Sequence, residues 1–171
     1  MGLDLYFFNL INGFASKWKW LDFFAIFFSR YLAYFLFLAL LAVAFIFNNV
    51  NIFLFPVLCG LFSRFIANEI IYFFYKRKRP PEIFDIKSLI EMPSHSSFPS
   101  GHASFFFALS FALLYFSVPW GTVFCALSLL VGFFRVFVGI HWISDILAGA
   151  VMGGISSLLT YPLFLWTLSN L

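Results

Sequence analysis

Leu3, Phe7, Leu10 and Phe14 open the chain at helical spacing, with Asp4, Asn9 and Asn12 opposite them. A stripe of this kind is too polar to cross a bilayer and suits a helix lying in its interface. Lys17-Trp18-Lys19-Trp20 follows as an anchor of aromatic and snorkelling basic side chains. Residues 1–28 are therefore predicted to be interfacial helices. Beyond them the pattern changes to long apolar runs, predicting membrane spans at about 31–47, 52–75, 100–118, 122–138 and 145–166. Asn48-Asn49-Val50-Asn51 and Pro119-Trp120-Gly121 are read as turns, and 76–99 as a polar loop long enough to carry function. The predicted architecture is an all-α integral membrane bundle of about five transmembrane helices plus an N-terminal interfacial amphipathic helix, in one domain.

Two features modify these spans. Arg64, Asn68 and Glu69 lie inside the second, where charge is costly and turns inward, and they are expected to pair structurally. Gly149, Gly153 and Gly154 give the fifth a small-residue face for close helix packing.

Composition agrees with the pattern. Of the 171 residues 63% are hydrophobic and 10% charged, against about 25% charged in soluble domains. The net charge of +3 and so apolar a surface exclude nucleic acid as a partner. Cys59 and Cys125 sit in apolar runs as small buried thiols. No Cys/His cluster has zinc spacing, so neither a metal nor a cofactor is expected. No cleavable signal peptide is expected, because Asp4 and Asn9 interrupt the first apolar run and no basic region precedes it.

The candidate chemistry begins at Pro99-Ser100-Gly101-His102, which reads as a helix start. Open N–H groups there attract an anion, and a histidine in the first turn adds an acid/base group beside it. Taken alone, the same residues are an ordinary polar cap. Lys76-Arg77-Lys78-Arg79-Pro80-Pro81 ends the second span; it reads as a basic collar at the headgroups, within which Pro80 fixes Arg79 where it can grip phosphate. His95, on the loop, is taken as a rim residue. Arg135 lies near the end of the fourth span. His141 and Asp145 follow four residues apart, sharing a helix face, so the carboxylate orients the imidazole and frees its other nitrogen for attack. Span counting brings Arg79, Ser100, Arg135, His141 and Asp145 to one face of the membrane.

Arg79-Pro80, Pro99-Ser100-Gly101-His102, and Arg135 followed by His141 and Asp145 together resemble the motifs of the type 2 phosphatidic acid phosphatase superfamily. The resemblance implies a metal-independent lipid phosphatase. His141 would be the nucleophile forming a phosphohistidine, Asp145 its orienter and His102 the acid. Arg79, Arg135, Ser100 and the Gly101 N–H would hold the phosphoryl oxygens. Two positions depart from the pattern: Tyr72 stands where the first motif has lysine, and Phe134 where the third has serine. Lys76 or Lys78 would supply the missing cation; Lys76, one turn beyond Tyr72, is nearer the right face.

Phe8-Asn9-Leu10-Ile11-Asn12-Gly13, Trp20-Leu21-Asp22 and Asn68 resemble the small bacterial undecaprenyl-diphosphate phosphatases within this superfamily. Lipid A 1-phosphatases and phosphatidylglycerophosphate phosphatases share the same core. The implied partners are a lipid phosphate and the bilayer of the bacterial cytoplasmic membrane. A non-enzymatic lipid carrier would have the same apolar surface but no need of the Ser-Gly-His turn beside Arg135, His141 and Asp145. For sidedness, the positive-inside rule applied to Lys17, Lys19, Arg30 and Lys87 puts the site in the cytoplasm, whereas the resemblance implies an outward-facing site, which is preferred.

Overall fold

A computed structural model describes residues 2–86 and 88–170. Met1, Leu171 and Lys87, the last one of the cations weighed for sidedness, lie outside them. The described residues form helices only: α1 (Gly2–Asn12), α2 (Lys19–Arg30), α3 (Leu32–Ile46), α4 (Asn51–Phe62), α5 (Asn68–Phe74), α6 (Gly101–Leu114), α7 (Val118–Phe137) and α8 (Ile143–Ser169). A π-helical turn, Ser63–Ala67, joins α4 to α5, and a 3₁₀ turn, Pro80–Glu82, follows Arg79.

Three continuous helices are long and apolar enough to cross a membrane: Asn51–Phe74, Val118–Phe137 and Ile143–Ser169. α2 and α3, bent by 50° at Tyr31, make a fourth if taken as one broken span. In that case the predicted break between an interfacial segment and a first span is a kink within one span. The predicted span 100–118 is α6, whose 14 residues reach about 21 Å, short of the roughly 30 Å hydrocarbon thickness. Five full-length spans are therefore not what the helix lengths give.

α6 is instead the axis of the bundle. Ten of its fourteen residues are buried, as befits a helix that is apolar all round. α8 approaches it closely because Gly149 and Gly153 lack side chains: a Cβ on Gly149 would lie 2.7 Å from that of Ala103, and one on Gly153 2.5 Å from the Ala108 nitrogen. α7 closes the other side, with Ser110 and Ser128 sharing a 2.9 Å hydrogen bond inside an otherwise aliphatic contact. Leu36, Leu40 and Val43 of α3 pack against Leu109, Leu113 and Val131 in the main core.

α1 is amphipathic as predicted. Its stripe of Leu3, Phe7 and Leu10 is exposed, while Phe8 is buried and Asp4 and Asn12 are partly buried. Most large side chains on the outer surfaces of α3, α4, α5 and α8 are likewise exposed and apolar, among them Phe45, Phe73 and Leu159, the surface a hydrocarbon solvent requires. The polar residues gather where α5 ends and α6 and α8 begin.

Candidate active site

His141 sits in the corner between α7 and α8, with a relative exposure of 1%. Its two ring nitrogens face opposite neighbours. Nδ1 lies 3.3 Å from Asp145 Oδ2, and Nε2 lies 3.1 Å from an Arg79 Nη1 donor. The proton therefore belongs on Nδ1, where a carboxylate accepts it, leaving the lone pair on Nε2. Burial, reinforced by the Arg79 charge, pushes His141 well below the ordinary imidazole range, so the ring is neutral at pH 7 and nucleophilic.

Asp145 is fully buried at the start of α8, where a carboxylate complements the helix dipole. It accepts hydrogen bonds from the Trp142 N–H at 2.9 Å, from the Ser97 hydroxyl and from Arg77 Nη1 at 2.6 Å. A buried carboxylate without such partners would be costly.

Arg79 is also completely buried. Pro80 ends the preceding segment, Glu82 accepts the Arg79 backbone N–H at 2.6 Å, and the guanidinium is left on backbone carbonyls: Ile140 at 2.7 Å, Ser96 at 3.2 Å and His95 at 3.3 Å. Burial lowers its pKa, an effect Asp145 only partly offsets. No carboxylate lies within ion-pair reach of that guanidinium among the described residues. Arg135, 5% exposed in the last turn of α7, has no such partner either, and its Nε has no hydrogen-bond partner.

At the start of α6, Ser100 is extended and precedes the first helical residue, as predicted for a cap, but its side chain makes no cap bond. The Oγ is buried and partnerless. The bare backbone of Gly101 lets the Arg64 side chain lie over it, where a Cβ would come within 2.4 Å of Arg64 Nε. His102 is half-buried on the next position. Two unpaired guanidinium groups, a free hydroxyl and the open N–H groups of a helix start make this a site for an anion with several oxygens.

Hydrogen bonds join Arg79, His141, Asp145 and Ser100, whereas Lys76 departs from its expected place. Lys76 is exposed, and no hydrogen bond or ion pair joins it to the other site residues; it lines two clefts of about 380 and 420 Å³. Its neighbour Arg77 turns inward instead, because Asp145 and Asp4 draw it there. The departures from the motifs are also explained locally. The Tyr72 hydroxyl donates to the Pro99 carbonyl at 2.8 Å, so the residue ties α5 to the loop before α6. Phe134 is stacked at 5.0 Å on Phe28 of α2.

Several residues that contribute here are given other roles, or none, by the sequence. Arg64 does pair with Glu69 as expected, at 3.3 Å, but the π turn, a device common at functional sites, also lays it over Gly101 and within 3.4 Å of His95 Nε2. His95, far from being only a rim residue, has its Nδ1 3.4 Å from Arg79 and its ring stacked on Tyr72. Burial lowers its pKa, aided by both arginines. Ser97, Arg77 and Asp4 complete the surroundings of Asp145; the signal for Arg77 was only its place in a basic run.

Residues 53–168 match the model of the PAP2 superfamily. The chain belongs to that superfamily. This agrees with the resemblance drawn from the motifs. A bacitracin transport permease protein BcrC of Bacillus licheniformis is 33% identical over 87 residues, covering 51% of this chain and 41% of that protein. The chain thus spans less than half the length of that relative. An undecaprenyl-diphosphatase of Sulfolobus acidocaldarius is 26% identical over 162 residues, covering 94% of this chain and 78% of that one. Among solved structures, a transmembrane PAP2 type phosphatidylglycerolphosphate phosphatase from Bacillus subtilis superposes with a TM-score of 0.72 at 20% identity, covering 95% and 84% of the two chains. That likeness concerns the fold, an all-α membrane bundle. The described residues of this PAP2 chain bring no three His, Cys, Asp or Glu side chains together in a way that could hold a metal ion.

Proposed function

We propose that this PAP2 chain is a lipid phosphatase that removes the terminal phosphate of a membrane lipid through a phosphohistidine on His141. The observation that carries this reading is the asymmetric setting of His141, with a carboxylate at 3.3 Å on Nδ1 and an Arg79 donor at 3.1 Å on Nε2. A phosphoryl group delivered to that corner takes over the Arg79 donor with its own oxygen, which exposes the Nε2 lone pair to phosphorus.

The first step forms the N–P bond as the bond from phosphorus to the leaving oxygen breaks, and His102 gives that oxygen its proton. Arg79, Arg135, the Ser100 hydroxyl and the Gly101 N–H hold the three equatorial oxygens, a role that favours the transition state because its charge is spread over them. Water then attacks phosphorus, His102 takes its proton, and inorganic phosphate leaves as His141 is restored. Asp145 keeps the ring oriented throughout. Lys76, at the rim of the clefts, attracts the anionic headgroup without touching it. No step requires a metal ion.

The favoured substrate is undecaprenyl diphosphate, hydrolysed to undecaprenyl phosphate. The name of the Sulfolobus relative and the N-terminal sequence pattern support this over a lipid A 1-phosphate or phosphatidylglycerophosphate. The site then faces outward from the cytoplasmic membrane, which labelling of single cysteines placed in the loop 76–99 of intact cells would read. The test of the function is phosphate release by purified protein from those three lipids, in EDTA, with and without vanadate. The expected outcome is release that survives chelation, is fastest with the diphosphate and is blocked by vanadate, a mimic of pentacoordinate phosphorus. Strict dependence on a divalent ion, or no release from any of them, would overturn it.

A further inference from the structure

Helix α1 lies outside the region matched to the superfamily, which begins at residue 53, yet one of its faces is fitted to the catalytic corner. Asp4, Phe8 and Asn12 are spaced four apart and point the same way. Phe8 has no exposed surface and its ring lies 5.3 Å from that of Trp142. The Asn12 side-chain amide donates to the Phe137 carbonyl at 2.7 Å. Between them these contacts bracket both ends of the α7–α8 connection that carries His141.

Asp4 does more than pack. Its Oδ1 accepts the Ser144 N–H at 3.0 Å, and its Oδ2 accepts the Ser144 hydroxyl and Arg77 Nη2, both at 2.6 Å. Ser144 is the second residue of α8, one of the positions whose N–H has no partner within the helix. Trp142, which precedes the helix, makes no side-chain cap bond. A carboxylate from α1 therefore caps the helix that presents Asp145.

The same carboxylate fixes how Arg77 meets Asp145. With Nη2 held by Asp4, Arg77 offers only Nη1, which reaches Asp145 Oδ1 at 2.6 Å and the Ser144 hydroxyl at 2.6 Å. Asp145 Oδ2 is thereby left to the Trp142 N–H, the Ser97 hydroxyl and His141 Nδ1. A guanidinium freed from Asp4 would straddle both Asp145 oxygens, the bidentate geometry arginine prefers with a carboxylate. It would then compete with His141 for Oδ2.

We propose that Asp4 is a positioning residue for the His141–Asp145 pair, acting through Arg77 and the N-terminus of α8. The inference rests on the phosphatase reading above. Ion pairing supports it: burial alone would raise the Asp4 pKa, but the bonds from Ser144 and Arg77 outweigh this and hold it below its ordinary value, so the carboxylate is charged throughout the working range.

The test is steady-state turnover of undecaprenyl diphosphate in detergent micelles by the full chain. Asp4→Asn should lower kcat by about 10 to 150-fold, the worth of a charge-assisted hydrogen bond, with KM changed no more than roughly twofold because no substrate atom is touched. Asp4→Glu should recover most of the loss. Arg77→Gln should cost about as much, and the double variant no more than Arg77→Gln alone, since the two act as one unit. Leu36→Ala opens the main core away from α1 and the site; it should lower the melting temperature but leave kcat per folded molecule within about threefold. Wild-type kcat in Asp4→Asn, additive losses in the double variant, or an equal kcat loss in Leu36→Ala would each overturn the proposal. His141→Ala is run beside them: if it still turns over, the reading of His141 as the nucleophile has failed, whereas an inactive His141→Ala with a fully active Asp4→Asn removes only the role of Asp4.

Discussion

On the Nδ1 side of His141 every charge is matched: Asp145 meets Arg77, Arg77 meets Asp4, and Asp4 meets the start of α8. On the Nε2 side the balance is reversed, with Arg79 and Arg135 buried, no carboxylate paired to either guanidinium among the described residues, and the Ser100 hydroxyl left without a partner. Arg77 and Arg79 are two residues apart in sequence and serve these opposite sides. A buried cation without an anion is expensive, and a saturated network is rigid. One side of the imidazole is thus built to stay as it is, and the other to receive a group carrying the missing negative charge.

The comparison can be broken from either side. Asp145→Asn keeps the shape of the matched side but removes the charge that fixes the His141 tautomer, and turnover should fall by roughly 100 to 10,000-fold; phosphate-release kinetics with KM little changed would check it. Arg79→Ala strikes the open side, and should cost about 100 to 1,000-fold, as loss of a transition-state donor does. Arg135→Ala should cost about 10 to 150-fold and weaken inhibition by vanadate in parallel, because both the substrate and the mimic need the same cation. A vanadate response unchanged in Arg135→Ala would move that arginine out of the anion site.

Protonation sharpens the contrast further. The His141 pKa in the folded chain lies below its unfolded value of about 6.5, so the unfolded chain binds a proton that the native site refuses. The stability contributed by the neutral ring is complete above that pH and is lost as pH falls below it. Melting temperatures in detergent should therefore drop on acidification from pH 7, and drop less steeply in His141→Gln. The smallest effects belong to Lys76→Ala and Lys78→Ala. Both side chains are exposed, and each loss should be within about threefold, as for a screened surface charge, and fade at high salt.

Much of the open side is legible in the sequence because it is made of local signals. Ser100, Gly101 and His102 form one helix start, Arg79 sits before its proline, and His141 and Asp145 are four apart, a spacing that still brings them together although α8 begins only at Ile143 and His141 precedes it. Span order then brings these pieces to one end of the bundle. The matched side depends on contacts between distant segments, such as Asp4 with Ser144, 140 residues apart, and no periodicity predicts a long-range partner. Helical geometry favours Lys76 over Lys78 only if it is carried past Phe74, where α5 ends. Once the helix stops, the one-turn argument no longer applies, and the two carboxylates decide that Arg77 turns inward. The shortness of α6 is hidden for a related reason: Tyr115 and Phe116 prolong its apolar run, but their backbone already turns toward α7.

The central claim is that phosphate passes through His141, and trapping that intermediate tests it most directly. Purified protein is mixed with undecaprenyl diphosphate labelled in its terminal phosphate, quenched rapidly in alkali, and analysed for label on the protein. The prediction is an alkali-stable, acid-labile phosphoprotein that maps to His141 and is absent in His141→Ala along with all phosphate release. Phosphate release by His141→Ala at a rate near that of the unsubstituted protein would contradict the account.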